Sequence, residues 1–180
     1  MATVVVEQFT YADIAAMPED GYRHELLDGA ILVTPSPGLA HQDVVLNLVV
    51  LLRDHCRGTG LHVVVGPFDV RLSDTTVVVP DIVVAPWENF GDRDLQSAPR
   101  LVVEVRSRST ATIDATIKRA LYESAGVQSY WLVDPVRPAI TMLELADGRF
   151  EARGYAVGSE TVGAGQPFNF SLTPSQLLER

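Results

Sequence analysis

The sequence predicts an α/β fold in which a mixed β-sheet core is flanked by helices and extended by a C-terminal β-hairpin. Three observations carry this expectation. The stretch from Leu101 to Val133 reads strand, helix, strand, the order of a parallel crossover unit. Two Asp-Gly dipeptides, Asp28-Gly29 and Asp147-Gly148, lie between β-prone runs and mark tight hairpins. Between His41 and His55, Val44, Val45, Leu48, Leu51 and Leu52 recur at helical spacing and predict a helix packed on the core.

In chain order, a short helix is expected over 11–16, followed by strands 24–27 and 30–33 around the first Asp-Gly turn. Pro35 and Pro37 force a loop before the core helix. Strands 61–65, 68–72 and 76–84 then form a meander, with Gly66-Pro67 and Ser73-Asp74 at the turns. The stretch 86–99, rich in charge and breakers, is expected as a loop. Strand 101–106 leads to a Ser/Thr cap, a helix over 111–125 stopped by Gly126, and strand 129–133. Strands 140–145 and 149–155 flank the second Asp-Gly turn. The Gly-rich GSETVGAGQPF reads as a loop and lacks the pattern of a phosphate cradle, while 174–178 reads as a short helix.

Length and composition bound the function. A chain of 180 residues with 47% hydrophobic content can bury a full core as one domain, 1–180. The longest uncharged apolar stretch, 44–52, is too short to cross a bilayer and no leader pattern opens the chain, so a soluble cytoplasmic protein is expected. One cysteine, Cys56, excludes an internal disulfide framework and a multi-cysteine zinc site, and it reads as a packing or surface thiol. The four histidines show no metal-ligand spacing. A net charge of −9 provides no global basic footprint for nucleic acid, although Arg100, Arg106, Arg108 and Arg119 flank one strand and its helix, where they could contact phosphates or pair with surface acids.

The chemistry concentrates in VVVPDIVVA and LVVEVRS. Each puts a carboxylate, Asp81 or Glu104, within an apolar β-branched run, which is costly unless the charge is paired, hydrogen-bonded or bound to a cation. Two such residues in successive strands suggest one shared cation; the alternative is that each meets water at a strand end or pairs with an arginine. On the following helix Asp114, Lys118 and Tyr122 recur every fourth residue and share a face. That face is either a solvated stripe with an Asp–Lys pair or a means of bringing Lys118 to the carboxylates.

The PD dipeptide, the E-V-x-S strand end, the D-x-x-x-K-x-x-x-Y helix and the G-V-x-x-Y-W-L-V-D-P strand together resemble the Uma-two family of endonuclease-like proteins, within the PD-(D/E)XK restriction-endonuclease-like superfamily. The segment YRHELLDGAILVTPSPGLAHQDVVLNLVVLL resembles the family's N-terminal hairpin, loop, histidine and long helix, so the similarity spans about 10–135. The resemblance implies a restriction-endonuclease-like fold and a metal-dependent endonuclease, with nucleic acid, DNA foremost, as substrate and Mg2+ or Mn2+ as cofactor. It implies Asp81 and Glu104 as metal-binding carboxylates, with the backbone carbonyl near Val105 and, directly or through water, Glu25. Lys118 corresponds to the catalytic lysine, with Tyr122, Asp114 and His41 in support. His41 has an equally local explanation as a helix-capping or core-edge residue. Arg106 stands where the superfamily's standard arrangement has its lysine; an arginine there can orient water or offset charge but not carry a proton.

Two other classes stay open: an inactive, nuclease-like interaction module, and a metal-dependent hydrolase of a non-DNA substrate. The C-terminal hairpin leaves an outer edge, from which a homodimer is expected unless the last residues cover it.

Overall fold

The computed structural model describes residues 8–18, 20–107 and 109–179. Arg108 lies outside the described residues. The chain runs α1 (Tyr11–Ala15), β1 (Arg23–Leu27), β2 (Ala30–Thr34), α2 (Leu39–Cys56), β3 (Leu61–Val65), β4 (Asp69–Ser73), β5 (Thr76–Val78) and β6 (Ile82–Pro86). It continues with β7 (Asp94–Leu95), β8 (Leu101–Val105), a helix in three parts, and β9 (Ser129–Asp134), β10 (Ala139–Ala146), β11 (Arg149–Val157), β12 (Val162–Ala164) and β13 (Phe170–Leu172). The three-part helix is α3 (Ala111–Ile113), a π-helical turn (Asp114–Lys118) and α4 (Arg119–Ser124).

Strands assemble into a six-stranded sheet ordered β11-β10-β9-β8-β6-β3 and a five-stranded sheet ordered β2-β1-β5-β4-β7. The larger sheet is mixed: β8 and β9 pair in parallel through the helical crossover, while its other neighbours are antiparallel. Both Asp-Gly turns put two successive residues at positive φ, with Asp28 at 50° and Gly29 at 83°, and Asp147 at 49° and Gly148 at 77°. That backbone matches the twist of the strands it joins. The β10–β11 hairpin extends the larger sheet as the sequence predicts.

One face of the larger sheet carries Ile82, Val84, Leu101, Val103 and Trp131 against the buried stripe of α2, which includes Val44, Val45, Leu48 and Leu52. Side chains on its other face, including Val83, Val102 and Tyr130, meet Leu27, Val70, Val78 and Leu95 of the smaller sheet, with Tyr122 of α4. The larger sheet is therefore a central layer, apolar on both sides, and its strands read as continuous hydrophobic runs. Among the described residues no helix is long and apolar enough to cross a membrane.

Three expectations are corrected. The run 76–84 is not one strand: β5 belongs to the smaller sheet and β6 to the larger, and the chain changes sheets over Val79, Pro80 and Asp81. Pro80 cannot donate to a ladder, so the break falls there. The 86–99 stretch contributes β7, which pairs in parallel with β4. Within the Gly-rich segment Val162 and Ala164 form β12 against β13, because both bury their side chains with Phe170 and Leu172, and tertiary burial outweighs the local glycine signal.

Cys56 ends α2 inside this core, and burial pushes its thiol up to about 11. The thiolate is the reactive form. The folded protein is therefore expected to resist a thiol-reactive chromogenic disulfide at neutral pH and to react at once in denaturant; rapid reaction of the native protein would contradict this packing.

Candidate active site

The β6–β8 register pairs Ile82 with Val103 and Val83 with Val102, which sets Asp81 opposite Glu104. Glu104 belongs to the face shared with Val102, turned toward the smaller sheet, whereas Asp81, one residue before β6, lies at the end of the larger sheet between the Val105 amide, His41 of α2 and Arg23 of β1. Across the gap Glu25 projects from β1 on the side of Leu27. The crossover helix supplies the cation. Lys118 Nζ lies 2.7 Å from Glu25 Oε1, 3.0 Å from Glu104 Oε1 and 3.8 Å from Asp114 Oδ1. Tyr122 Oη donates to Glu104 Oε1 at 2.9 Å, and the Val79 amide donates to Glu25 Oε1 at 2.8 Å. The wider π turn offsets the drift that a 3.6-residue repeat imposes on four-residue spacing, so Asp114, Lys118 and Tyr122 all bury toward the same cluster.

Asp81 has a separate set of partners. Its Oδ1 accepts from Arg23 Nη1 at 3.2 Å, and its Oδ2 accepts from the Val105 amide at 2.8 Å and lies 3.0 Å from His41 Nε2. Arg23 also donates to Thr34 Oγ1 at 3.0 Å, which anchors its guanidinium between the strands. Asp81 forms part of the wall of a cleft of about 450 Å3 with Tyr22, Arg23, Pro35, His41 and Gly66. The lysine cluster lies deeper: Lys118 is 0% exposed and Glu104 2%.

Charges in this region are far from their solution behaviour. Burial, reinforced by Asp81, Asp114 and Glu25, outweighs Lys118 and pushes Glu104 up to about 8. Burial works against the Lys118 charge too, but Glu104, Glu25 and Asp114 outweigh it and hold the ammonium above its usual range. For Asp81 burial is overcome by His41, Arg23 and the Val105 amide, which hold it below the usual carboxylate range. Burial raises Asp114 and keeps Tyr122 a neutral donor. Glu25 Oε2 is buried without a hydrogen-bond partner among the described residues and meets Arg23 Nε only at 3.9 Å. Carboxyl groups thus outnumber the cations that face them, and the upward pressure on Glu104 and Asp114 together with the unpartnered Glu25 oxygen is what a hard divalent cation would relieve.

Of the residues expected from sequence, Glu25, Glu104, Asp114, Lys118 and Tyr122 converge in one buried cluster, and Asp81 stands beside it with His41. Among the described residues no three His, Cys, Asp or Glu side chains form a ready-made metal cage. Arg106 is not brought to the cluster: its guanidinium points to Asp134, with Nη1 3.9 Å from Oδ2. Arg119 donates to the Phe150 carbonyl. Asp81 sits in the sheet-to-sheet break and not within a strand. Sequence reasoning missed Arg23 and Tyr130, whose hydroxyl donates to the Asp114 carbonyl at 3.0 Å. Arg23 carried one signal, its two-residue spacing from Glu25, which puts both on one face of β1.

Gly66 controls the position of Asp81. Its amide donates to the Asp81 carbonyl at 2.9 Å, and a Cβ on it would approach the Pro80 carbonyl oxygen to 2.5 Å. Backbone must then move, so Gly66→Ala is expected to cost about 1–3 kcal/mol. Urea unfolding would measure it, and an unchanged midpoint would show that the break tolerates displacement.

Comparison with known proteins gives two findings. Residues 11–175 match the model of the Uma2 (Uma-two) family, described as “Putative restriction endonuclease”. The fold is similar to the crystal structure of a “putative nuclease belonging to DUF820” from Anabaena variabilis ATCC 29413, with a TM-score of 0.79 and 18% identity over 94% of this chain and 97% of that one. No curated protein matches the sequence. The sheet break that delivers Asp81 opposite Glu104, the helix that delivers Lys118, and a family match across 11–175 together make this chain a member of the Uma2 restriction-endonuclease-like family.

Proposed function

We propose that the protein is a divalent-metal-dependent endonuclease that hydrolyses phosphodiester bonds in nucleic acid, with DNA the expected substrate. The observation that carries this reading is Lys118, fully buried and held between Glu25 and Glu104 directly behind the cleft that Asp81 helps to line. Asp81, Glu104 and the main-chain carbonyl of Val105 would hold Mg2+ or Mn2+, with Glu25 joining directly or through water. The donors are all hard oxygens. The Val105 amide already faces Asp81, and a strand residue exchanges its amide and carbonyl bonds on the same side. When bound, the metal would neutralise charge growing on the scissile phosphate and acidify water.

The chain's own residues do the rest. Lys118, kept charged by its carboxylates, orients water and offsets charge; it does not take up a proton. Tyr122 keeps Glu104 in place, and Asp114 and Tyr130 fix the π turn that aims the lysine. His41 and Arg23 hold the Asp81 carboxylate at the cleft, where both also present positive or hydrogen-bonding groups to a phosphate. Cleavage of DNA and RNA with Mg2+ or Mn2+, against a chelator control, tests the reading. Failure to cleave either under both metals would remove it.

One observation favours the inactive interaction module: both Asp81 oxygens are already engaged, by Arg23 on one side and by His41 and Val105 on the other. A wild-type chain that gives no calorimetric response to Mn2+ would select it. The chain would act as one domain, 1–180, in the cytoplasm and as a homodimer. The larger sheet ends in β3 and β11; β12 and the Pro174–Leu178 turn lie against β11, so the hairpin edge from which the sequence predicts a dimer is covered and a dimer would have to form at β3 instead. A monomer mass by light scattering at micromolar concentration would reject the dimer.

A further inference from the structure

A second cleft, of about 360 Å3, lies at the far end of α2 from His41. Arg53 from the last turn of α2 and Arg57, the residue just after that helix, line it, with His62 from β3 and Trp87, which follows β6. Trp87 is 64% exposed, a large cost in apolar surface for an indole at a cleft edge, and its ring meets His62 edge to face at 4.8 Å. Basic residues at the C-terminal end of a helix are explained by its dipole. That does not explain why an exposed indole stands beside them. Asp54 lies 3.3 Å from Arg57, but both are exposed, and such a pair exchanges readily for a phosphate. In a chain of net charge −9, two guanidiniums around an exposed aromatic ring form the combination that grips an unpaired nucleotide: a base stacked on the ring and phosphates on the arginines.

The position gives this cleft a role. α2 carries His41 near its start and Arg53 near its end, β6 runs from beside Asp81 to beside Trp87, and β3 from Leu61 to Val65 next to Gly66. Both clefts therefore sit on the α2–β3 seam, one at each end. Six residues of strand at about 3.3 Å, or twelve of helix at about 1.5 Å, separate them by roughly 20 Å. A stacked strand advances about 3.4 Å per nucleotide, so about six nucleotides span the gap.

We propose that the Arg53–Arg57–Trp87 cleft is an anchor for an unpaired stretch of nucleic acid, which holds the strand about six nucleotides from the point where Asp81 meets it. The inference rests on the nuclease reading for its purpose, but not for its detection. The protein contains two tryptophans, and Trp131 is fully buried, so Trp87 is the one exposed indole.

The test is a fluorescence titration of the whole chain with oligothymidylates of increasing length, in chelator so that nothing is cleaved. The expected result is quenching of the exposed indole, with affinity rising until the oligonucleotide is about six nucleotides long. Arg53→Ala/Arg57→Ala should weaken binding at least tenfold and lower the salt slope by about 1.4, the single-strand value for two lost phosphate contacts. Trp87→Phe should abolish quenching and weaken binding of a dye-labelled oligonucleotide read by anisotropy. All three residues are exposed, so melting temperatures should not move. Absent quenching, quenching indifferent to the arginines, or quenching by an acidic peptide but not by oligonucleotides overturns the anchor, the last by assigning the cleft to a protein. Binding at Trp87 by a chain that cleaves nothing leaves the anchor and removes the nuclease; cleavage with unchanged KM in the arginine variant does the reverse.

Discussion

Lys118→Ala is expected to lower metal-dependent cleavage by about a hundredfold or more and, in the same protein, to cost about 3–5 kcal/mol of stability. A lysine on a solvated helix face would give neither effect, and sequence alone suggests that its loss should leave stability nearly unchanged. Its burial reverses that expectation: the ammonium is 0% exposed and has Glu25 at 2.7 Å and Glu104 at 3.0 Å. Removing it leaves carboxylates buried without a counter-charge, which is the costly way to break an ion network. Because the variant can fail to fold, Lys118→Met combined with Glu25→Gln and Glu104→Gln provides the control. Neutralising the lysine with its two nearest carboxylates should recover much of the stability lost in Lys118→Ala and restore no cleavage. Arg106→Ala should affect cleavage less than Lys118→Ala, since its guanidinium pairs with Asp134 away from the cluster. Urea unfolding and cleavage assays read both halves. Full activity in Lys118→Ala, with activity lost in Arg106→Ala, would move the chemistry to the strand position.

Much of this was legible because charge in an apolar run is anomalous. Asp81 and Glu104 stand out among β-branched neighbours, and Lys118 is bracketed at four-residue spacing by Asp114 and Tyr122, so a helix that directly follows the Glu104 strand had to carry all three near it. The Asp-Gly hairpins and the parallel crossover were legible for the same reason: each depends on a local rule, positive φ or handedness, that tertiary contacts reinforce. What the residues could not disclose depends on which sheet a strand joins. Val77 and Val83 are equally β-prone, yet Pro80 sends them to opposite layers, and only that transfer puts Glu25 across from Glu104. Arg23 escaped notice because its partner Asp81 lies far along the chain and nothing local demands a guanidinium there. Arg106 had the right offset from Glu104 for a strand that continued, but β8 ends at Val105 and the next side chain turns toward β9. The π turn is invisible to helical periodicity, which assumes one pitch throughout.

Asp81→Asn is expected to abolish divalent-ion binding and cleavage together while the fold persists at a cost of about 1–3 kcal/mol. The amide retains one acceptor, which can keep the Val105 amide bond, but its other end becomes a donor. With the Val105 bond kept at the Oδ2 position, that donor faces Arg23 Nη1, which lies 3.2 Å from Oδ1 in the wild type. A lost charge-assisted bond and a donor–donor contact account for the cost. pH then separates the charge from the shape. Asp81 is held below its ordinary value of 3.8 in the folded state by His41, Arg23 and the Val105 amide, against burial. A depressed carboxylate contributes stability that is fully present above the unfolded value and is lost as pH falls through the folded one. The deficit of the variant relative to wild type should therefore be constant near neutrality and shrink as pH falls below about 3.8. Calorimetric titration with Mn2+ reads binding, and denaturant unfolding across pH reads the charge. Retained Mn2+ affinity would remove Asp81 from the metal site, and a deficit unchanged on acidification would show that the Arg23–Asp81–His41 contacts hold a shape and not a charge.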